Sequence, residues 1–386
     1  MVTDFSCGKV SRNIINQAIP LTLAQLVQLM YNIVDRIYIG HLSNTDNMAL
    51  TGIGLTFPII TIIAAFTSLF GTGGTPLFSI ARGRGQEEYA EKIMGNVFTL
   101  LLGSSVFIFF FCYLFRKPIL YIFGASDASY LYADEYLQIY LFGTASSMLA
   151  TGMNGFINAQ GFPGIGMLTT LIGAVLNLIL DPVFIFMLHM NVRGAALATV
   201  ISQTVSGIWV IRFLTGKKSL LKLKISNLKL DRKLVRDILS LGTSGFIVQA
   251  TNALVQIVCN ITLQTYGGDL YVGIMTVLNS VREFLSLPVM GITSGCQPIL
   301  GYNYGAGKLS RVKEGIRFTA LIGIAYTLLA WGLVMIIPNL LFSVFTNDVS
   351  MVQSGTKALH LYFFGFCFMA FQFSGQSTFP ALGYAK

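Results

Sequence analysis

The chain has 386 residues, of which 54% are hydrophobic and only 11% are charged, and its mean hydropathy is +0.69. This composition is typical of a polytopic membrane protein and excludes an ordinary soluble globular domain. The formal net charge of +9 would suit a nucleic-acid-binding protein, but the positions of the charges indicate membrane topology instead and predict no nucleic-acid partner.

About ten apolar segments are long enough to cross a bilayer as helices, since one span needs roughly 20 residues. A closed β-barrel, the other structure that can cross a bilayer, would show short alternating segments rather than continuous apolar runs. The sequence therefore predicts an all-α polytopic membrane protein. We place the spans near residues 14–39, 51–80, 93–115, 135–158, 165–188, 193–213, 239–265, 271–300, 315–345 and 358–380.

Lysine and arginine are distributed unequally between the two sides that these spans define. With the N-terminus in the cytoplasm, nineteen of the 25 cations lie in inner loops and flanks, and nine of those lie between Arg212 and Arg236. This asymmetry follows the positive-inside rule and predicts a multi-pass protein of the cell (cytoplasmic) membrane with a cytoplasmic N-terminus. Contact of the segment 217–236 with anionic lipids is a second interpretation of the same charges.

The five cysteines and three histidines are scattered along the chain. They show no CxxC or Cys/His spacing, so they indicate neither a redox site nor a metal-binding motif. Paired histidines and Ser/His arrangements of the catalytic kind are missing from the sequence as well. We therefore expect a protein that is not an enzyme and uses no cofactor.

The chain aligns with itself, without a gap, at an offset of 222 residues. At this offset GTGGTPLFSIARGRGQEEYAEKI at 71–93 faces TSGCQPILGYNYGAGKLSRVKEG at 293–315. Any two membrane helices would share Leu and Phe, but registered glycine and proline indicate an internal repeat, which is typical of transporter folds. The registered pairs include Gly73 with Gly295, Pro76 with Pro298, Gly83 with Gly305, Gly85 with Gly307 and Gly143 with Gly365.

The repeat predicts two pseudo-symmetric six-helix lobes that run parallel across the membrane. The first lobe spans 1–215, a basic cytoplasmic linker spans 216–236, and the second lobe spans 237–386. A complete second copy would extend to about residue 437. We therefore expect the second lobe to be truncated after about four helices; a natural ten-span protein is the alternative.

Few ionisable residues lie at membrane depth, and such residues mark either a functional site or a polar network that joins helices. Asp35, Asp181 and Glu283 are the acids in question. At ~1.5 Å per residue, Asp35 and Asp181 both fall in the outer half of their spans. Asn177 lies one turn from Asp181 on the same helix face, and Thr199 lies at a similar level. This all-oxygen set suits Na⁺ or a proton, and the sequence leaves the two ions open.

Two further residues within spans have an open role. Pro20 lies fifteen residues before Asp35, where a proline removes a backbone hydrogen bond and permits either a hinge or a static kink. Glu283 lies about halfway along its span. It is interpreted either as a counter-charge for a cationic substrate or as a local partner for a nearby donor.

Five motifs together resemble the MATE (multidrug and toxic compound extrusion) transporters, in particular bacterial multidrug-efflux members. The resemblance covers essentially the whole chain, and the motifs are specific collectively although each is weak alone. They are VDRIYIG in span 1, ARGRGQEEYAEKI after span 2, NLILDPVFIF in span 5, VRGAALATVISQ in span 6 and GYNYGAGKLSRVKEG after span 8.

The resemblance implies a V-shaped transporter with a central cavity, which exports cationic amphiphilic compounds in exchange for H⁺ or Na⁺. It implies that Asp35, Asn177 and Asp181 carry the coupling ion, joined by Thr199 and Tyr136. These residues would form a metal site only if the ion is Na⁺. The resemblance also implies bending of helix 1 at Pro20.

One further match and one departure concern the same family pattern. In the family, an asparagine in helix 4 is sometimes included in the ion site. The matching residue here would be Asn154, although its depth in the membrane is estimated to be near the inner end of its span. One branch of the family keeps acidic residues in helices 7 and 10. This sequence does not match that branch, because span 7 offers Gln249 and Gln256 and span 10 offers only Gln372.

The substrate cavity is expected to have an apolar and aromatic wall. Methionines are included among its candidates because their flexible side chains adapt to varied ligands, although apolar residues of these types also serve as plain packing. The expected partners are small-molecule drugs and the lipid bilayer, and the expected state is a monomer. Two alternatives to a multidrug exporter are a channel and a flippase for lipid-linked saccharides. The flippase would need a cationic cavity. The cavity candidates are Tyr31, Phe57, Met153, Gln256, Met275, Glu283 and Met290.

Overall fold

The computed structural model describes residues 3–40, 52–343 and 349–384; some side chains on its helices, among them that of Asp35, lie outside the description. Regular structure in these residues is helical. The α-helices are α1 (Val10–Gly40), α2 (Phe57–Gly83), α3 (Glu87–Leu114), α4 (Arg116–Ile122), α5 (Asp127–Phe142), α6 (Thr144–Ala159), α7 (Pro163–Pro182), α8 (Asn191–Thr215), α9 (Arg232–Gly305), α10 (Leu309–Ile336), α11 (Pro338–Ser343), α12 (Val349–Phe363) and α13 (Met369–Ala381).

Eight helical stretches in the described residues are long and apolar enough to cross a membrane. Their helical form and hydropathy confirm the prediction of an all-α polytopic membrane protein, because a bilayer forces every backbone polar group to be satisfied within its own segment. In the described ranges they are eight where ten spans were predicted, since the predicted spans 14–39 and 135–158 are not among them. The eight stretches are Gly52–Gly83, Glu87–Leu114, Pro163–Met187, Asn191–Thr215, Arg232–Leu263, Gly273–Gly305, Leu309–Ile336 and Val352–Ala381.

Two glycines lie at helix boundaries, of which hydropathy missed the first and placed the second. The predicted span 135–158 consists of α5 and α6, which meet at Gly143, where the Gly143 N–H bonds the Tyr140 carbonyl oxygen at 2.9 Å. The long helix α9 is interrupted at Gly268, whose φ of 64° and ψ of −166° favour glycine strongly. Its two arms, α9a (232–267) and α9b (269–305), correspond to the two predicted spans in this region.

The buried apolar side chains form three clusters. One cluster is built from residues between Ile53 and Ile238, and a second from residues between Ile274 and Phe366. The third joins the start of the chain, through Phe5, to α9b and α10. The first helix is therefore packed against a part of the chain that lies some 290 residues away.

The offset of 222 residues reappears as a reciprocal contact between α2 and α9b. A Cβ atom added at Gly83 would overlap the Tyr302 carbonyl oxygen, and one added at Gly305 would overlap the Ile80 carbonyl oxygen. Ile80 and Tyr302 are themselves 222 residues apart. A Cβ atom at Gly301 would lie 2.9 Å from the Cβ of Ser79, its own equivalent. The two helices thus meet backbone to backbone about a local two-fold axis.

The segment before α1 bridges the helices that meet at this contact. Phe5 is fully buried, and its ring lies 5.9 Å from the Tyr302 ring and 5.4 Å from the Arg82 guanidinium. Arg82 Nη1 donates to the Ala159 carbonyl oxygen at 2.7 Å, and Asn303 Nδ2 donates to the Phe5 carbonyl oxygen at 3.1 Å. Residues 3–8 therefore fasten α2 and α6 to α9b.

Hydrogen bonds within the same segment fix its shape. Ser6 Oγ and Ser6 N–H donate to Asp4 Oδ1 at 2.7 and 2.8 Å, and these bonds hold the pKa of Asp4 below its usual value. Arg311 donates to the carbonyl oxygens of Gly8, Phe5 and Cys7 at 2.8 to 3.2 Å. The segment is thus ordered by charge-assisted hydrogen bonds as well as by the burial of Phe5.

Phe5→Ala is expected to lower the free energy of unfolding by ~3–5 kcal/mol, because it removes a fully buried ring and leaves a cavity between α2 and α9b. The thermal unfolding midpoint of the purified protein in detergent measures the effect. Phe371→Ala is the matched control, since Phe371 is 59% exposed on α13. Equal midpoints for the two variants would contradict the bridging role of the segment.

Candidate functional site

The end of α7 carries two of the predicted ion-site residues. Asn177 and Asp181 lie one turn apart on this helix, and each is only 1% exposed. Pro182 ends α7 and is followed by a π-helical turn, Val183–Met187, in which the Leu188 N–H donates to the Val183 carbonyl oxygen at 2.9 Å. Proline has no N–H and breaks the regular ladder, and π-turns within helices are frequent at functional sites. Asp181 therefore lies where the helix geometry changes.

Asn177 connects Asp181 to helix α8. Asn177 Nδ2 donates to Asp181 Oδ2 at 2.6 Å when the side-chain amide is oriented with its nitrogen toward the carboxylate. In that orientation its oxygen accepts from the Thr199 N–H at 3.2 Å and from Thr199 Oγ1 at 3.3 Å, whereas the opposite orientation leaves only the Thr199 contact. The orientation with the nitrogen toward Asp181 is the better one, because it gives both the nitrogen and the oxygen of the amide a hydrogen-bond partner.

The structure thus brings three of the predicted residues into one buried oxygen-rich cluster, formed by Asp181, Asn177 and Thr199. Thr199 Oγ1 also contacts the Ala195 carbonyl oxygen at 3.0 Å. Carboxylate, amide and hydroxyl oxygens suit a hard cation, and a carboxylate shielded from water also suits a proton. In the part of the chain that the structure describes, no group of three or more His, Cys, Asp or Glu side chains is arranged to hold a metal ion.

The other predicted ion-site residues have different surroundings. Asp35 lies on α1, which packs along α7, but its side chain is outside the described residues. Tyr136 is buried on α5, and its ring stacks on Tyr140 with a centroid distance of 5.7 Å. Asn154 on α6 donates to the Gly166 carbonyl oxygen at 3.2 Å, about four turns along α7 from Asp181. Asn154 is therefore separated from the cluster, in agreement with its depth estimate.

A cavity of about 420 Å³ lies between α1, α2, α6 and both arms of α9. Hydroxyl side chains from α2 and α6, including Thr75 and Ser147, form much of its wall. The amides Asn158, Gln249 and Gln297 complete it, together with small apolar residues. Among the described lining residues none is charged. The cavity therefore offers neutral hydrogen-bonding groups rather than a fixed counter-charge.

Sequence reasoning did not identify these lining residues. Ser68, Thr72 and Thr75 follow one another at helical spacing on α2, and Ser147 and Thr151 do so on α6. This spacing is a stripe of small polar residues, the one signal that could have revealed the wall. The same stripe is equally typical of two membrane helices in close contact, so it does not point to a cavity by itself.

The seven predicted cavity residues lie elsewhere in the structure, and none of them lines this cavity. Met153 is fully buried in the first apolar cluster, and Met275 packs against the second. Tyr31 is half-buried on α1. The remaining four, Phe57, Gln256, Glu283 and Met290, are exposed. Flexible apolar side chains fill helix contacts as readily as binding sites, so residue type did not separate the two roles.

The sequence model of one protein family, MatE, matches residues 20–183 and 246–386. The chain belongs to the MatE family. This membership confirms the resemblance to MATE transporters that the motifs indicated, and it supports a transporter rather than an enzyme.

Relatives match this MatE chain along most of its length, and solved structures share its fold. Multidrug export protein MepA of Staphylococcus haemolyticus is 27% identical over 359 residues, covering 92% of this chain and 78% of that protein. MepA of Staphylococcus aureus is 25% identical with the same coverage. An outward-facing multidrug resistance MATE family transporter of the MOP superfamily has a TM-score of 0.90 at 22% identity, covering 98% of this chain and 84% of that chain. MATE in the straight conformation has a TM-score of 0.91 at 23% identity, with the same coverage. The fold is shared.

Proposed function

We propose that this protein is a secondary active transporter that exports cationic amphiphilic compounds in antiport with H⁺ or Na⁺. The observation that carries the proposal is the buried cluster of Asp181, Asn177 and Thr199, in which a carboxylate is held out of water at membrane depth. A carboxylate in that setting strongly favours neutralisation by a proton or a cation. The names of the MepA relatives, which are multidrug export proteins, support the export of drugs.

In this proposal the coupling ion binds in the first lobe, to Asp35, Asn177, Asp181 and Thr199, with Tyr136 completing the surroundings. The Asn177 amide bonds both Asp181 and Thr199, so it transmits a change at the carboxylate to α8. Binding of an ion neutralises Asp181 and removes the penalty of a buried charge, which favours the conformation that encloses it.

Alternating access would proceed by relative motion of two lobes, 1–215 and 237–386, joined by the linker 216–236, with bending of α1 at Pro20. At Gly83 and Gly305 the two backbones meet without a Cβ between them, so this motion would have to open that contact together with the neighbouring packing of Phe5 against Arg82 and Tyr302. The orientation with a cytoplasmic N-terminus in the cell membrane, and a monomeric state, belong to the same proposal.

The cavity is expected to take the substrate. Its hydroxyl and amide groups, together with Leu21, Ile60 and Ile63, give a wall that mixes hydrogen-bonding and apolar groups. Such a wall accepts amphiphilic compounds of varied shape. Among the described lining residues there is no cation to hold a diphosphate, so the cavity gives no support to a flippase for lipid-linked saccharides.

The test is transport by the purified protein in vesicles on which a pH gradient or a Na⁺ gradient is imposed separately. We expect one of the two gradients to drive ethidium movement against the ion flow, which would identify the coupling ion. Vesicles without protein, and vesicles in which an ionophore has collapsed the gradient, are the controls. Ethidium movement that is the same with and without either gradient would contradict antiport.

A further inference from the structure

The linker 216–236 is fastened to helix α3 and to Gln160, the residue that follows α6. Ser219 Oγ and the Leu221 N–H both donate to Gln160 Oε1, at 3.0 and 2.9 Å. Glu91 on α3 accepts from the Lys222 N–H at 3.0 Å and pairs with Lys224 Nζ at 2.6 Å. Buried amide and carboxylate side chains thus fix the first half of the linker.

The second half of the linker runs along the side of α3. Thr99 Oγ1 donates to the Leu228 carbonyl oxygen at 2.7 Å, and Asn96 Nδ2 donates to the Lys229 carbonyl oxygen at 3.2 Å. Asn96 Oδ1 accepts from the Asp231 N–H at 2.8 Å. From Glu91 to Thr99 these anchors rise more than two turns along α3. The linker is therefore a lateral belt and not a cap over the helix end.

The level of this belt coincides with a change in the surface of α3. Beside Glu91, the first of the anchors, the exposed side chains of this helix include Glu88 and Lys92. After Thr99, the last anchor, the exposed side chains are apolar, beginning with Leu102 at 39% exposure and continuing with Phe107 at 66%. A change from charged to apolar exposed residues marks the boundary between headgroups and hydrocarbon. The linker therefore lies at that boundary, on the side of the bundle that faces lipid.

The outward surface of the linker is both cationic and apolar. Eight lysines and arginines and a single aspartate occupy residues 216–236. Lys224 pairs with Glu91, and the other seven cations make no ion pair with another described residue. Ile225 is 88% exposed, and Leu220 and Leu230 are 51% and 49% exposed, although residues 216–231 of the linker lie outside the membrane-spanning stretches. An exposed isoleucine among lysines is the pattern of a segment that lies in a membrane interface.

We propose that the linker is a docking surface for anionic phospholipids of the surrounding bilayer. Its free lysines would bind the phosphates while Ile225, Leu220 and Leu230 insert beside the acyl chains. Charge complementarity selects an anionic lipid over a zwitterionic one, and the lateral position at the boundary selects a lipid over a soluble polyanion. This inference does not depend on the transported compound or on the coupling ion.

The test measures the lipid that the purified full-length protein retains. The protein is reconstituted in phosphatidylcholine vesicles containing a minority of phosphatidylglycerol, extracted in mild detergent, and its bound lipids are quantified by mass spectrometry. The linker variant replaces Lys217, Lys218, Lys222 and Lys229 by Gln and keeps Lys224, which pairs with Glu91. We expect this variant to retain about tenfold less phosphatidylglycerol than the unaltered protein, with phosphatidylcholine unchanged.

The matched control removes four exposed cations outside the linker, by replacing Arg12, Arg84, Lys313 and Arg317 with Gln. It is expected to retain phosphatidylglycerol as the unaltered protein does. Equal losses in the two variants would overturn the proposal, because net charge alone would then explain retention. No loss in the linker variant would overturn it as well.

Two further measurements complete the test. The first detects insertion of Ile225 separately from binding of the lipid headgroup, and the second detects lipid binding without relying on a variant that could misfold. Ile225→Ser is expected to lower retention most at high ionic strength, where screening weakens the lysines and the apolar contact remains. Phosphatidylglycerol, but not phosphatidylcholine or inorganic phosphate, is expected to raise the thermal midpoint of the unaltered protein. A rise that inorganic phosphate reproduces would overturn the lipid as the ligand, even if the variants fail to fold.

Discussion

Asp181→Asn is expected to reduce gradient-driven ethidium transport to the level of protein-free vesicles. Asparagine has nearly the shape of aspartate and can keep the contact with Asn177, but it cannot carry the charge that binds a proton or Na⁺. Because Asp181 is only 1% exposed, water cannot take over the role of the carboxylate. Asp35→Asn is expected to have the same effect if both acids serve one ion. The measurement is the initial rate of dye transport under the gradient that drives the unaltered protein.

Two controls make this result specific to the ion site. Glu88→Gln removes a carboxylate whose ion pair with Lys92 is well exposed. Exposed ion pairs contribute only ~0–1 kcal/mol to stability, so the transport rate of this variant is expected to equal that of the unaltered protein. Ethidium binding to the Asp181→Asn protein, measured by fluorescence in detergent, is expected to persist, because the carboxylate does not line the cavity. Full transport by both the Asp35→Asn and Asp181→Asn variants would rule out the assignment of the coupling site.

Gly83→Ala and Gly305→Ala are each expected to lower the stability of the protein and to impair transport. The added Cβ atom would overlap a backbone carbonyl oxygen on the facing helix, that of Tyr302 or of Ile80. Backbone cannot rotate away as a side chain can, so α2 and α9b must separate. Overpacking of this kind typically costs ~1–3 kcal/mol, and the double variant is expected to lose more than either single one. Thermal unfolding in detergent and the dye-transport rate measure the two effects.

Gly103 and Gly332 provide the comparison, since each lies within a helix and has open space where a Cβ would be. Alanine is a better helix former than glycine by ~1 kcal/mol, so Gly103→Ala and Gly332→Ala are expected to be neutral or stabilising. The sign of the change therefore separates the close contact from helix propensity. A Gly83→Ala protein as stable as Gly103→Ala would contradict the backbone contact between α2 and α9b.

The fold class was predictable because a bilayer permits few solutions. Apolar runs of the required length can only be helices, whichever residues they contain, and the structure has them. The boundaries were less predictable. Hydropathy merged α5 with α6, because Gly143 is as apolar as its neighbours and the break depends on the approach of α8, where a Cβ on Gly143 would lie 2.9 Å from Val200 Cγ2.

The ion cluster was partly predictable for a similar reason. Asn177 and Asp181 are four residues apart, which places them on one face of any helix, and their contact follows from that spacing. The contact with Thr199 on α8 needed an estimate of depth as well as spacing. The cavity wall was not predictable, because a stripe of Ser and Thr looks the same whether it faces another helix or an open space.

The sequence by itself determined the helical membrane architecture and the 222-residue offset. These follow from local composition and from registered glycines, which depend on no distant contact. Only the tertiary structure decided how each helix is rotated, and hence that Thr72 and Asn158 face the cavity while Met153 faces the core. It also decided the path of the linker along α3. Rotation and loop path are set by contacts between residues far apart in the chain, and no local pattern encodes them.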